Sequence, residues 1–125
     1  MNDPLFTERE LDVMSILWRC GPSTVSEVRD ELVDELAYTS VLSALQTLEE
    51  KGFVRHEQEG RAYRYHPLVE PEEAGRSAVE RILDKVYQGS AELMLAQLVD
   101  GRGLSDDELR RMRRLLESRL KGGPR

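Results

Sequence analysis

The hydrophobic pattern of this sequence changes its period once within the first 70 residues, and that change restricts the folds open to the chain. Apolar residues first recur at helical spacing along three successive segments, the last of which reads YTSVLSALQTLEEKG from Tyr38 to Gly52. The next segment, FVRHEQEGRAYRYHP, has Val54, Tyr63 and Tyr65 at alternating positions, with a turn at Glu59-Gly60. The pattern therefore predicts three helices followed by a β-hairpin.

Capping signals mark the ends of these helices. Thr7 with Glu10, and Thr24 with Glu27, have the spacing of capping boxes, in which each side chain accepts a hydrogen bond from the other residue's backbone. Gly52 occupies the C-cap position of the third helix. Helix, short connection, helix and hairpin in this order are typical of a winged helix-turn-helix, so we predict a mainly α (α+β) fold with this domain in residues 1–70.

The helical period returns from Glu72 onward, after Pro67 and Pro71, which bracket a predicted domain boundary. The helices of residues 71–125 are thin amphipathic elements that cannot form a core alone. We expect them to bury their apolar stripes against a second copy of the chain, as a helical dimerisation region. The predicted dimer interface comprises Val79, Ile82, Leu83, Val86, Tyr87, Leu93, Leu95, Leu98, Leu109, Met112 and Leu116.

The charge of the chain is unevenly distributed. The 125 residues carry a net charge of -6, which by itself argues against nonspecific binding to polyanions. Residues 1–37 hold three Lys or Arg against nine acids, whereas Tyr38 to Leu68 holds four of each. The acidity therefore lies largely outside the third helix and the hairpin.

Several classes of site and location are disfavoured. One cysteine excludes an intrachain disulfide framework and a zinc site built on several thiolates. The first ten residues are acidic and lack the apolar core of a signal peptide, and no apolar run approaches the roughly 18 residues that span a bilayer. No nucleophile elbow, phosphate loop or HExxH motif is present. We expect a cytoplasmic protein that is not an enzyme and has no cofactor or metal.

The polar face of the third helix carries hydroxyls and an amide rather than long charged side chains. Such groups bond base edges, and the methyl of Thr contacts a thymine methyl. Taken alone, the face is equally consistent with ordinary solvation, but the basic hairpin that follows favours DNA, with phosphate contacts setting orientation. The residues predicted to contact DNA are Tyr38, Thr39, Ser40, Ser43, Gln46, Thr47, Lys51, Arg55, Arg61, Tyr63 and Arg64.

Three weaker signals favour structural interpretations. A metal held between His56 and His66 across the hairpin is disfavoured, because no Cys or carboxylate stands at clear ligand spacing. Cys20, before a Gly-Pro turn, is predicted to be a small packed residue rather than a redox sensor. The four arginines within RRMRR, from Arg110, have acids on both sides and indicate a solvated helix face.

The sequence resembles the BlaI/MecI/CopY family of bacterial penicillinase repressors. The resemblance rests on the segment from Phe6 to Trp18, on GPSTVSEV, on YTSVLSALQTLEEKGFV and on GRAYRYHPLV, and it extends through KVYQG and LSDDEL. It implies a homodimeric winged-helix repressor of a short palindromic operator, often upstream of antibiotic-resistance or stress genes. Thr47 stands where family members commonly have Arg, and the cysteine cluster of the copper-responsive branch is absent.

The resemblance also implies a route of inactivation. In the β-lactam-responsive members, a membrane sensor-protease system leads to cleavage of the repressor in its dimerisation region. The bond that matches by position here joins Gln97 and Leu98. The rival interpretation is a winged-helix module for protein–protein contact, which the overall acidity keeps open.

Overall fold

The computed structural model describes residues 6–122. The first five of the ten N-terminal residues, which were predicted not to form a signal peptide, therefore lie outside the described residues. The described chain forms two compact units, one ending at Glu80 and the other beginning at Arg81. Its elements are α1 (Glu8–Cys20), β1 (Ser23–Thr24), α2 (Val25–Glu31), α3 (Tyr38–Glu50), β2 (Val54–Glu59), β3 (Ala62–Pro67), α4 (Pro71–Lys85), α5 (Ala91–Gly101) and α6 (Asp106–Gly122).

Both predicted capping boxes are confirmed. In α1 the hydroxyl of Thr7 accepts a hydrogen bond from the Glu10 backbone N–H at 3.1 Å, and the Glu10 carboxylate accepts from the Thr7 N–H at 2.9 Å. Thr24 and Glu27 make the same reciprocal pair at the start of α2. These local bonds fix the first turns of the two helices that support α3.

The end of α3 is set by Gly52, which directly follows the C-cap residue Lys51. Gly52 has a φ of 86°, a left-handed conformation that favours glycine. Its N–H donates to the Glu49 carbonyl at 3.0 Å and the Phe53 N–H donates to the Leu48 carbonyl at 2.9 Å. This is the hydrogen-bond pattern of a Schellman motif, and it turns the chain directly into β2.

The predicted hairpin is confirmed and is part of a three-stranded antiparallel sheet in the order β1-β3-β2. A two-residue turn at Gly60 and Arg61 joins β2 to β3, one residue later than the predicted Glu59-Gly60, because Glu59 still pairs with Ala62. Gly60 has a φ of 63°. Strand β1 was not predicted. It is two residues long, and Thr24, its second residue, also serves as the N-cap of α2, so its sequence signal is that of a helix start.

The core of the first unit lies between α1, α2, α3 and the base of the sheet. Tyr65 is the largest side chain in it and is 1% exposed. The buried apolar residues are Val13, Met14, Ile16, Leu17, Val25, Val28, Val41, Leu45, Leu48, Val54, Tyr65 and Val69. The indole N–H of Trp18 donates to the Val69 carbonyl at 2.8 Å and so ties α1 to the segment that follows β3. With α1, α2, α3 and the hairpin in this arrangement, the unit is a winged helix-turn-helix.

The second unit contains the end of α4 with α5 and α6. The hydroxyls of Ser90 and Ser105 accept hydrogen bonds from the backbone N–H groups of Leu93 and Glu108, which caps the starts of α5 and α6. No residue of α5 or α6 is buried, although both helices are described along their whole length. Within residues 6–122, no helix is long and apolar enough to cross a membrane.

Candidate nucleic-acid interface

The side of α3 opposite the core is polar and open. Thr39, Ser40, Ser43 and Gln46 are exposed, whereas Thr47 is half-buried. Their side chains make no hydrogen bond to another residue of the described chain, so their donors and acceptors are available to a ligand. The four exposed residues form a strip along one side of α3, which we call the polar strip.

The start of α3 is also open to a ligand. Its N-cap residue is Ala37, and across the described residues no side chain caps this end and no acid occupies its first turn. Backbone N–H groups in a first helical turn, together with the helix dipole, favour an anionic group there. Tyr38 is 42% exposed, and the Arg29 guanidinium lies 5.9 Å from the centre of its ring. The first turn of α3 is therefore suited to a DNA phosphate.

The hairpin presents different residues on its two faces. Arg55 pairs across the hairpin with His66, whereas His56 pairs with Tyr65. Because paired residues share a face and neighbours along a strand alternate, His56 and His66 lie on opposite faces. The two histidines therefore do not meet, which excludes the metal site that was disfavoured from the sequence. Within residues 6–122, no three His, Cys, Asp or Glu residues converge to hold a metal ion.

One face of the hairpin is joined to α3 by His56. Its Nδ1 lies 2.7 and 2.8 Å from the two carboxylate oxygens of Glu49, and its ring centre is 4.5 Å from that of Tyr63. The ring of Tyr65, which pairs with His56 across the hairpin, has its centre 5.5 Å from that of His56. Burial, followed by the charge of Glu49, raises the pKa of the Tyr65 hydroxyl. These contacts join the wing to the last turn of α3.

Arg64 is held inside the domain by three acceptors. It donates to the Glu59 carboxylate, to the Pro22 carbonyl at 2.9 Å and to the Glu27 carboxylate at 3.0 Å. The hydrogen bond with Glu59 raises the pKa of Arg64, and the same bond lowers the pKa of Glu59. Arg64 therefore fastens the wing to the start of α2, and its charge is already compensated.

Lys51 is similarly engaged. Its ammonium Nζ lies 2.9 Å from both carboxylate oxygens of Glu10, whose side chain is 6% exposed. Burial alone would raise the pKa of Glu10, but the hydrogen bond from the Thr7 backbone and the charge of Lys51 outweigh it and lower that pKa. The pair joins the start of α1 to the end of α3, so Lys51 has a structural role in addition to any contact with DNA.

Arg61 is the cation best placed for a partner. It stands in the turn at the tip of the wing, it is exposed, and no acid of the described chain pairs with it. Arg55 is partly compensated, since its Nη1 lies 3.7 Å from a carboxylate oxygen of Glu57. Tyr63 is 45% exposed and lies on the opposite face of the hairpin from Arg55. The wing thus offers one free positive charge at its tip and a second, weakly paired one on its flank.

Other predicted residues lie elsewhere. Cys20 is exposed as the last residue of α1, where no following turn of the helix covers it, so the prediction that it is packed is wrong. The predicted dimer residues Leu83, Tyr87, Leu109 and Met112 are half-buried within the single chain, and the others are exposed. Gln97 and Leu98 are exposed within α5.

Comparison with known proteins assigns the family. A profile described as Penicillinase repressor matches residues 6–118. The chain belongs to the penicillinase repressor family. The penicillinase repressor of Bacillus licheniformis is 25% identical over 116 residues, which covers 91% of each protein. The transcriptional regulator BlaI of Mycobacterium tuberculosis is 34% identical over 114 residues, which covers 87% of this chain and 83% of that protein. The resemblance seen in the sequence is thereby confirmed.

Solved structures agree with the family assignment. The DNA-binding domain of the repressor BlaI matches with a TM-score of 0.52 and 27% identity, over 58% of this chain and 90% of that one. The monomeric form of Bacillus licheniformis BlaI, solved with the blaP half-operator, matches with a TM-score of 0.50 and 27% identity over the same shares. A MarR family protein from Bacillus stearothermophilus, at 21% identity and a TM-score of 0.53, shares the fold.

The Glu10–Lys51 pair predicts a specific dependence of stability on pH. Because the pKa of Glu10 is lowered in the folded state, its carboxylate stabilises the fold above the ordinary carboxyl pKa, and this contribution is lost as the pH falls through the folded value. Glu10→Gln should lower the free energy of unfolding by about 1–2 kcal/mol at pH 7 and by less at pH 3, which lies below the ordinary carboxyl pKa. Urea unfolding at both pH values measures this difference.

Glu8→Gln is the matched control, since Glu8 is an exposed acid in the same helical turn. It should change the stability by no more than about 0.5 kcal/mol at either pH. A loss of stability for Glu10→Gln that is equal at both pH values would contradict a stabilising carboxylate charge.

Proposed function

We propose that this chain is a homodimeric transcriptional repressor that binds a palindromic DNA operator through α3 and the wing. The observation that carries the proposal is the polar strip of α3, whose hydrogen-bonding groups are unused, together with the unpaired Arg61 at the tip of the wing in the same domain. Short hydroxyl and amide side chains suit base edges in the major groove, which is wide enough for a helix. The half-operator complex of the related BlaI supports the same use of the domain.

The two parts of the interface have different tasks in this proposal. The polar strip and Thr47 read bases, while Arg61, Arg55 and the open first turn of α3 contact phosphates. Lys51 and Arg64 contribute less to binding, because their charges are already neutralised. Glu10 pairs with Lys51, and both Glu27 and Glu59 pair with Arg64. Twenty of the 24 acids lie outside residues 38–68, where acidic and basic residues balance, so the net charge of -6 is carried away from this surface.

We propose a dimer because apolar side chains of the second unit, and of the end of the first unit, are exposed to solvent. Val79, Ile82, Leu98 and Leu116 are between 45% and 52% exposed, and Leu120 is 81% exposed. Apolar area of this kind is stabilised by burial against a partner. In this proposal a second copy of the chain covers these side chains in a two-fold dimer, and a two-fold dimer offers one α3 to each half-site of a palindrome.

The family relationship supports a regulatory setting for this repressor. The genes we propose as its targets are antibiotic-resistance or stress genes, and a repressor of these genes would act in the cytoplasm. A membrane sensor-protease system would relieve repression by cutting the dimerisation region at Gln97–Leu98. The side chains at this bond are exposed, but the bond lies inside α5, so a protease must unwind part of that helix to bind it.

Binding to DNA should depend on salt through the wing tip. A duplex retained from a random pool by the wild-type protein serves as the probe. Arg61→Ala should weaken binding to every duplex and reduce the slope of log K against log salt by about one for each phosphate that is no longer neutralised, or about two per dimer. Arg111→Ala is the control, because it removes the same charge from an exposed position on α6. An unchanged slope for Arg61→Ala, in fluorescence anisotropy, would remove the wing tip from the interface.

The oligomeric state tests the apolar surface. The wild-type protein should sediment as a dimer at micromolar concentration, and Leu116→Glu should raise the dimer dissociation constant at least roughly 10-fold, because it places a charge in an apolar contact. Leu68→Glu, at a similarly exposed leucine outside the second unit, should remain dimeric. A wild-type monomer, or equal effects of the two variants, would contradict the proposed interface.

Cleavage has a separate test. Incubation with an activated sensor-protease should cut between Gln97 and Leu98, as shown by the masses of the fragments. Leu98→Asp should resist cutting, since it replaces the apolar residue after the bond, while Leu95→Asp, also exposed on α5, should be cut normally. Fragments that end elsewhere would rule out this bond.

A further inference from the structure

Gln46 has the longest side chain of the polar strip and an unused carboxamide. It lies near the middle of α3, three residues after Ser43 and seven after Thr39, so helical geometry places all three on one side. Its side chain is exposed and forms no hydrogen bond with another described residue. The neighbouring hydroxyl side chains are short, so the helix can approach a surface closely while Gln46 reaches further into it.

The chemistry of a carboxamide selects among base edges. It presents one acceptor and one donor group side by side. In the major groove, adenine offers the complementary pair, the N6 amino donor and the N7 acceptor, so that two hydrogen bonds form together. Guanine instead offers two acceptors, N7 and O6, which require the two donors of an Arg or Lys.

No cation on α3 supplies the donors for guanine. The sequence of α3, from Tyr38 to Glu50, contains neither Lys nor Arg. Lys51, which follows directly, is held by the Glu10 carboxylate.

We propose that Gln46 determines an adenine in each half-site of the operator. This inference rests on the proposed function, because it requires α3 to lie in the major groove. Gln46 is then a specificity residue that contacts a base directly, whereas Arg61 contributes affinity without choosing a sequence. One position of each half-site should favour adenine over the other bases by roughly 10-fold, the lower part of the range for a bidentate contact.

The test is selection from a random pool of duplexes with the full-length wild type and three variants. Gln46→Met has nearly the same length but no hydrogen-bonding group. Its preference for adenine at one position per half-site should fall to about threefold or less, while its preferences at the other positions of the operator remain. Gln46→Arg should change the favoured base at that position from adenine to guanine. Glu50→Gln is the matched control: it alters the same side of α3 and should leave that adenine in place.

The outcomes separate this inference from the function on which it rests. If the wild type retains no sequence, the proposed function fails and the inference fails with it. If the wild type selects a palindrome but Gln46→Met keeps every preference, the repressor function stands and the role of Gln46 is overturned. Loss of preference at all positions, or equal loss in Glu50→Gln, also overturns it, since Gln46 would then position the helix and not read a base.

Discussion

The burial of one side of α3 is the constraint on which the rest of the first unit depends. Val41, Leu45 and Leu48 are 0% exposed, and together they fix the rotation of the helix about its axis. Because 3.6 residues complete a turn, this rotation directs Thr39, Ser43 and Gln46 outward as one strip. The Schellman end at Gly52 and the Glu10–Lys51 pair then fix where the helix stops, and the wing starts from that point.

The domain uses much of its positive charge internally. Lys51 and Arg64 join α1, α2 and the wing, and they are compensated by carboxylates from Glu10, Glu27 and Glu59. A basic residue count therefore overestimates the charge available to DNA. The proposed interface has little net charge, and it depends more on hydrogen bonds from the polar strip and on the first turn of α3. Such an interface favours discrimination between sequences over strong nonspecific binding.

The sequence predicted what depends on near neighbours along the chain. The boxes at Thr7 and Thr24 and the turn at Gly60 are read from residues two to four apart, and all were confirmed. The Glu10–Lys51 pair spans 41 residues and the Glu27–Arg64 pair spans 37, so neither has a local signal. The strand β1 has two residues and pairs with β3 far along the chain.

The register of the hairpin explains two further features of the wing. It separates His56 from His66 and brings His56 to Glu49, and the alternation of apolar residues in the sequence determines neither contact.

In the proposed function, α3 and the wing bind DNA. Hydrogen exchange of the full-length protein, with and without a duplex retained from a random pool, measures this directly. Slower exchange in α3 and around Arg61 on adding the duplex is predicted. Slower exchange confined to residues 81–122, with α3 and the wing unchanged, would contradict it.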